Sequence, residues 1–339
     1  MSKARLSAIA AASAAAGAGV ALWYTHKPAK PPHPEHPPLE IIPPSPPDTI
    51  PVIGTRSLPV QRPGPAISAK ALGLSPVDPK GILKYGSPGP VADELSSLPL
   101  YGAYDRRTRN PSWVAEHITP ESISQASADR KNVFRADKSI PVAFRADPRD
   151  YSNSGYDRGH QVPAEDAKWS QDAIDETFQM SNMCPQVGVW FNRHYWAYFE
   201  DFCRRLTQRY PSVRVVTGPL YLPEKDEDGK WRVKYEVIGN PPNVAVPTHF
   251  YKVIYGEEED TDDTTGKVAV AAFVLPNTRI PTEKRLAEFE YNIADLERAR
   301  GLEFVKNLDH SRRRRLCEEV ECDHRVKDFK KAVEIVEEE

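Results

Sequence analysis

Cysteine is scarce, with four residues in a chain of 339. That number excludes a disulfide scaffold, although Cys317 and Cys322 lie close enough to pair in an oxidising compartment. A zinc module on Cys317, Cys322 and His324 would lack an obvious fourth ligand. An excess of one charge is also missing: 45 Lys+Arg stand against 48 Asp+Glu, a formal charge of −3. A basic nucleic-acid coat and a highly charged disordered chain are thereby excluded. No helix-turn-helix, zinc-finger or RNP signature occurs, and residues 102–217 hold 16 basic against 15 acidic side chains, so no broad basic face is expected.

Acidic residues are absent from the N-terminus up to Glu35, and residues 6–24 (LSAIAAASAAAGAGVALWY) carry no charge after Lys3 and Arg5. A bilayer span needs about 20 apolar residues, so this run is at the short end. It reads as a targeting or anchoring segment, either a cleaved secretory signal or a mitochondrial presequence that doubles as an inner-membrane anchor with Trp23 and Tyr24 at the interface. Prolines are abundant, 33 in all, and crowd into the first quarter of the chain. From Pro28 to Pro65 they forbid helix and central strand and favour an extended linker, in which His33 and His36 are solvated. The expected division is 1–27 targeting segment or anchor, 28–90 proline-rich linker, 91–325 one folded domain and 326–339 a charged acidic tail.

Within the folded domain, Tyr195, Phe199, Phe202, Cys203, Leu206 and Tyr210 fall on one stripe of a helix that Pro211 stops. Arg204, Arg205 and Arg209 near its end suit the helix dipole. Strands are expected over Val213–Thr217, Trp231–Ile238 after an Asp228-Gly229 turn, Thr248–Ile254 and Val268–Leu275 after the acidic loop 257–263. A half-buried strand is expected near Tyr104 to His117, and charged helical sequence over 282–300 and from Arg312 onward. The fold class is α+β, with a central antiparallel sheet flanked by helices.

Chemistry concentrates between two motifs. Asp157-Arg158-Gly159-His160 is followed about thirty residues later by Phe191-Asn192-Arg193-His194-Tyr195-Trp196. Ser181 to Gln186, Val216 to Tyr221 and Val246 to Lys252 complete a pattern that resembles the DNA/RNA non-specific endonuclease family, with its ββα-metal (His-Me finger) active site. The match runs over roughly residues 95–325 and is closest to the mitochondrial endonuclease G branch and its fungal members. Phosphodiester hydrolysis needs an activated water, a cation and stabilisation of the leaving oxygen. Histidine suits the first task, since its ordinary pKa near 6.5 leaves a useful neutral fraction at pH 7, and such a base contributes about 10²–10⁴-fold.

The resemblance implies the following roles. His160 is the general base. Asn192 gives one direct oxygen ligand to Mg²⁺, with Mn²⁺ as substitute, a hard-oxygen and water-rich coordination that fits either ion. Glu200, eight positions along the helix and about 12 Å on, meets the ion through waters. Asn182 belongs to the site, Asp157 supports it from behind, and Arg158 contacts phosphate or pairs with Asp157. An upstream arginine stabilises the phosphorane; two copies of Phe-Arg-Ala-Asp offer Arg135 and Arg145, and Arg135 fits the spacing better. Arg106, Arg107, Arg109, Arg193 and Arg204 are expected along a phosphate track that accepts both DNA and RNA. The resemblance further implies 5′-phosphate ends, a homodimer and an address at the mitochondrial inner membrane or intermembrane space. Two alternatives are a catalytically weak, membrane-tethered nucleic-acid-binding scaffold and a secreted nuclease.

Overall fold

The computed structural model describes residues 92–258 and 266–323. The N-terminal segment, the proline-rich linker, most of the acidic loop and the acidic tail expected from the sequence lie outside the described residues.

Alternating burial begins at once, with strands Asp93–Ser96 (β1), Tyr101–Asp105 (β2) and Asn110–Ile118 (β3) paired antiparallel in succession. Helix Pro120–Ser124 (α1) follows, closed by a Thr119/Ser122 capping box with proline in its first turn. Next come Tyr156–His160 (β4), helix Gln171–Thr177 (α2) capped by the Ser170 hydroxyl, and Met183–Val187 (β5). The stripe-bearing helix contains Ala197–Arg205 (α3), preceded by a helical segment with a kink at Val189 and Trp190. The long strand Ser212–Leu220 (β6) is followed by the two-residue strands Glu224–Lys225 (β7), Trp231–Arg232 (β8), Val237–Ile238 (β9) and Val244–Ala245 (β10), and then by the long strands His249–Glu257 (β11) and Val268–Pro276 (β12). The described chain closes with Glu290–Tyr291 (β13), helix Ile293–Arg300 (α4), Arg313–Arg315 (β14) and helix Leu316–Glu319 (α5).

The main sheet has the order β1-β2-β3-β6-β11-β12-β13. It is antiparallel except where β14 joins β12 in parallel. Period-two alternation gives each face its own core. On one face Val213, Val215, Phe250, Ile254 and Phe273 pack against Phe199, Phe202 and Leu206 of the stripe. On the other, Tyr251, Val253, Val270 and Val274 pack against Leu296 and Val305. Each fully buried phenylalanine adds about 1.5–3 kcal/mol, so the stripe pins the site helix firmly to the sheet.

Three sequence expectations need correction. Trp231 to Ile238 is not one strand: only its two ends pair, and Trp231 and Val233 remain exposed, so nothing covers a longer ladder. Residues 282–300 are not one helix, because the Leu286–Phe289 turn and β13 interrupt them before Asn292 caps α4. Arg313–Arg315 are strand, with side chains spent on Glu319, Glu290 and Glu318 and on backbone carbonyls. Cys317 and Cys322 are joined in a disulfide with 5.2 Å between α-carbons, which removes them as zinc ligands.

Candidate active site

β4 and β5 form a separate two-stranded ribbon that pairs Asp157 with Gln186 and His160 with Met183. Glycine is required inside the motif, because a β-carbon on Gly159 would overlap the Gln186 side chain. A second glycine serves the same geometry: a β-carbon on Gly188 would lie 2.9 Å from both carboxylate oxygens of Asp157. That carboxylate is the hinge of the site. Its Oδ2 accepts from Asn192 Nδ2 at 2.9 Å, while Arg193 donates through Nε (2.9 Å) and Nη2 (3.0 Å) to its two oxygens. A carboxylate only accepts, so it fixes which end of the amide faces it. Asn192 Oδ1 is therefore turned away and takes no hydrogen bond from the described protein. The residue caps no backbone N–H; its amide serves Asp157.

His160, 8% exposed, stands edge-on to Phe178 with ring centroids 4.8 Å apart and lies 5.9 Å from Phe134. Burial pushes its pKa down to about 3, and Arg130 adds to the shift. The imidazole is neutral at pH 7, and its enclosed Nε2 has no hydrogen-bond partner. Glu200 is half-buried, and burial pushes its carboxyl up to about 7 against the opposing pull of Lys252, Arg204 and Arg130, with Asp166 reinforcing the rise. Among the described residues no donor occupies its oxygens. The Asn192 amide oxygen and the Glu200 carboxylate, neither hydrogen-bonded by another described residue, are hard oxygen donors of the kind a water-rich divalent cation takes. Among the described residues no group of three or more His, Cys, Asp or Glu could hold a metal.

The other expected residues divide. Asn182 is fully buried and braces backbone: its Nδ2 donates to the carbonyls of Val162 and Thr177 and its Oδ1 accepts from Val162 N. Its bonds to Val162 fix the turn that follows His160. Arg158 does not pair with Asp157; it donates to the Pro148 carbonyl at 3.0 Å and lies over the Phe134 ring. Arg106 is chelated by Asp93, and Arg204 is held by Asp166 at 2.6 Å, so neither is available to a phosphate track. Arg135 is exposed with no carboxylate partner, beside Phe134, while Arg145 donates to the Ile140 carbonyl.

Sequence reasoning missed Arg130. Its guanidinium lies over Phe178, the ring that supports His160, bonds Asn132 Oδ1 at 2.7 Å and acts electrostatically on both His160 and Glu200. No sequence signal distinguished it from its neighbours. Lys252 was also missed: 1% exposed, it donates to Thr217 Oγ1 at 2.9 Å and to the carbonyl of Gln161, next to His160, at 3.4 Å, with its ammonium 4.9 Å from the Trp196 ring centroid. Nearby, burial holds the Glu116 carboxyl well above its ordinary range, with Asp166 adding and Lys252 opposing. Here a signal existed, since Phe250-Lys252-Ile254 places a charge on the buried face of a strand.

Comparison with known proteins identifies the family. Residues 78–311 match the family described as DNA/RNA non-specific endonuclease. Over 283 residues the chain is 53% identical to the mitochondrial nuclease of Saccharomyces cerevisiae, covering 83% of this chain and 85% of that one. It is 40% identical over 246 residues to the mitochondrial endonuclease G of Caenorhabditis elegans, covering 72% and 77% of the two chains. A crystal structure of the EndoG/EndoGI complex contains a chain that matches with a TM-score of 0.63 at 44% identity, covering 70% of this chain and 96% of that one. The chain accordingly belongs to the DNA/RNA non-specific endonuclease family and is an endonuclease.

Proposed function

We propose that the chain is a Mg²⁺-dependent, sugar non-specific endonuclease that cuts DNA and RNA and leaves 5′-phosphate ends. The observation that carries this is the Asp157 carboxylate, which turns the Asn192 amide so that its oxygen is free, on the same strand that delivers a neutral His160. His160 takes the proton from the attacking water as its oxygen adds to phosphorus. The P–O3′ bond then breaks, the phosphate stays on the 5′ side and the departing O3′ takes a proton from solvent water. Arg130, exposed and without a carboxylate partner among the described residues, would stabilise charge on the phosphorane oxygens, a role the resemblance suggested for Arg135. Asn192 and Glu200 would hold the ion, Mg²⁺ or Mn²⁺ in its place, and the bound ion would neutralise charge on the reacting phosphate.

The chain's address is proposed as mitochondrial, in keeping with the names of its fungal and animal relatives, with residues 1–27 as targeting segment or inner-membrane anchor facing the intermembrane space. A homodimer is proposed from the resemblance alone. Incubating the full chain with single-stranded RNA and with supercoiled plasmid, with Mg²⁺ or EDTA, tests the reading. Metal-dependent cutting of both, with products that polynucleotide kinase labels only after phosphatase treatment, is the expected result. Cutting of one sugar type alone, or directly labelled 5′ ends, overturns it.

A further inference from the structure

The segment leaving β12 is fastened beside the start of the Asn192 helix. Asn277 Oδ1 accepts from Val187 N at 2.9 Å, and Asn277 Nδ2 donates to the carbonyls of Pro185 (3.0 Å) and Pro247 (2.9 Å). Ile280, three residues on, is 2% exposed in the core beneath the stripe helix. Between these anchors Arg279 is exposed and lays its guanidinium 4.8 Å from the Trp190 ring centroid. Among the described residues no hydrogen bond or ion pair holds that guanidinium. Its position contrasts with Arg106, Arg193, Arg204, Arg209 and Arg232, each of which faces a carboxylate.

Trp190 is itself unusual. Its φ is 70°, in the left-handed region that bulky side chains rarely adopt and that glycine enters freely. The conformation is held by its N–H, which donates to His194 Nδ1 at 3.0 Å, and by the stacking of the two rings 5.1 Å apart at 22°. Backbone strain of this kind persists where surrounding contacts over-determine it, and it concentrates at functional sites. The indole is thereby presented two residues before Asn192, with Arg279 resting on it.

We propose that Arg279, laid on Trp190, is a phosphate-binding residue of this chain that grips the nucleic-acid backbone on the Asn192 side of the reactive phosphate. The proposal rests on the nuclease reading above. A guanidinium stacked on an indole is positioned and partly stripped of water, yet its edge keeps the donor fork that matches two phosphate oxygens. A carboxylate partner would compete with phosphate for that fork, and none is present among the described residues. The contact reads backbone and not base, which suits a substrate range spanning DNA and RNA.

The test uses the full chain carrying His160→Ala, so that a labelled single-stranded oligonucleotide is bound and not cut, with Mg²⁺ and 50 to 200 mM salt. Arg279→Gln should lower the slope of log affinity against log salt by about 0.7, the loss of one phosphate contact, and Arg279→Lys should restore it. Trp190→Gly, which relaxes the backbone and removes the platform, should weaken binding about tenfold without lowering thermal stability. With His160 intact, Arg279→Gln should raise KM about tenfold and leave kcat within a factor of two. An unchanged salt slope and KM in Arg279→Gln would overturn the proposal and leave the stack a structural contact. Should the His160-intact chain cut nothing, the nuclease reading fails instead, and the binding slope still decides the role of Arg279.

Discussion

Acid should destabilise this protein through His160 by an amount the structure sets. The imidazole pKa falls from its ordinary 6.5 to about 3 in the folded chain. Below pH 6.5 the unfolded chain therefore binds a proton that the folded chain refuses, so stability falls as the pH is lowered toward 3. Two-state linkage with these values gives a loss of about 2 kcal/mol at pH 5 and about 3 kcal/mol at pH 4. Urea unfolding of the wild type and of His160→Gln, at pH 7.5 and pH 5 in EDTA, isolates this contribution. The variant carries its own packing cost at both pH values, and the carboxyls of Glu116 and Glu200, which shift the opposite way, titrate in both proteins; both effects cancel in the comparison. The drop from pH 7.5 to pH 5 should be about 2 kcal/mol larger in the wild type. Equal drops would refute the buried, neutral imidazole and with it the base assigned to the site.

Asp157→Ala should weaken the apparent Mg²⁺ affinity of cleavage about 10–100-fold, because it frees the Asn192 amide to rotate, and an unchanged Mg²⁺ titration would contradict the orienting role. Arg130→Ala should lower kcat about 10²–10³-fold and Arg135→Ala less than about tenfold; the reverse ranking would return the phosphorane role to Arg135. Lys252→Met should cost about 2 kcal/mol in chemical denaturation, since Thr217 Oγ1 and the Gln161 carbonyl lose a buried donor, and a variant as stable as wild type would show that the ammonium contributes nothing.

What was legible in the sequence follows from the range of the forces involved. The stripe from Tyr195 to Tyr210 is local periodicity, and its residues are buried as expected. Strands β6, β11 and β12 alternate against a two-sided core and were found to within a few residues. The region between Trp231 and Ile238 has the same local pattern, but no neighbour pairs its middle, so propensity alone misled. Motif spacing singled out His160 and Asn192, and the hydrogen bond from Asn192 to Asp157 joins the two motifs in the fold. The pairing of Asp157 with Arg193 instead of Arg158 was not legible, since it depends on how the β4–β5 ribbon meets the helix. Arg130 escaped for the same reason: its significance comes from Phe178, which lies 48 positions away and is reached only through the fold.

Cleavage of supercoiled plasmid at saturating Mg²⁺ by the wild type and by His160→Ala, each with and without EDTA, decides whether His160 acts as the base. Metal-dependent nicking by the wild type is expected, with a rate at least about 10²-fold lower in the variant and circular dichroism unchanged. Turnover near the wild-type rate in a folded His160→Ala protein would contradict that role.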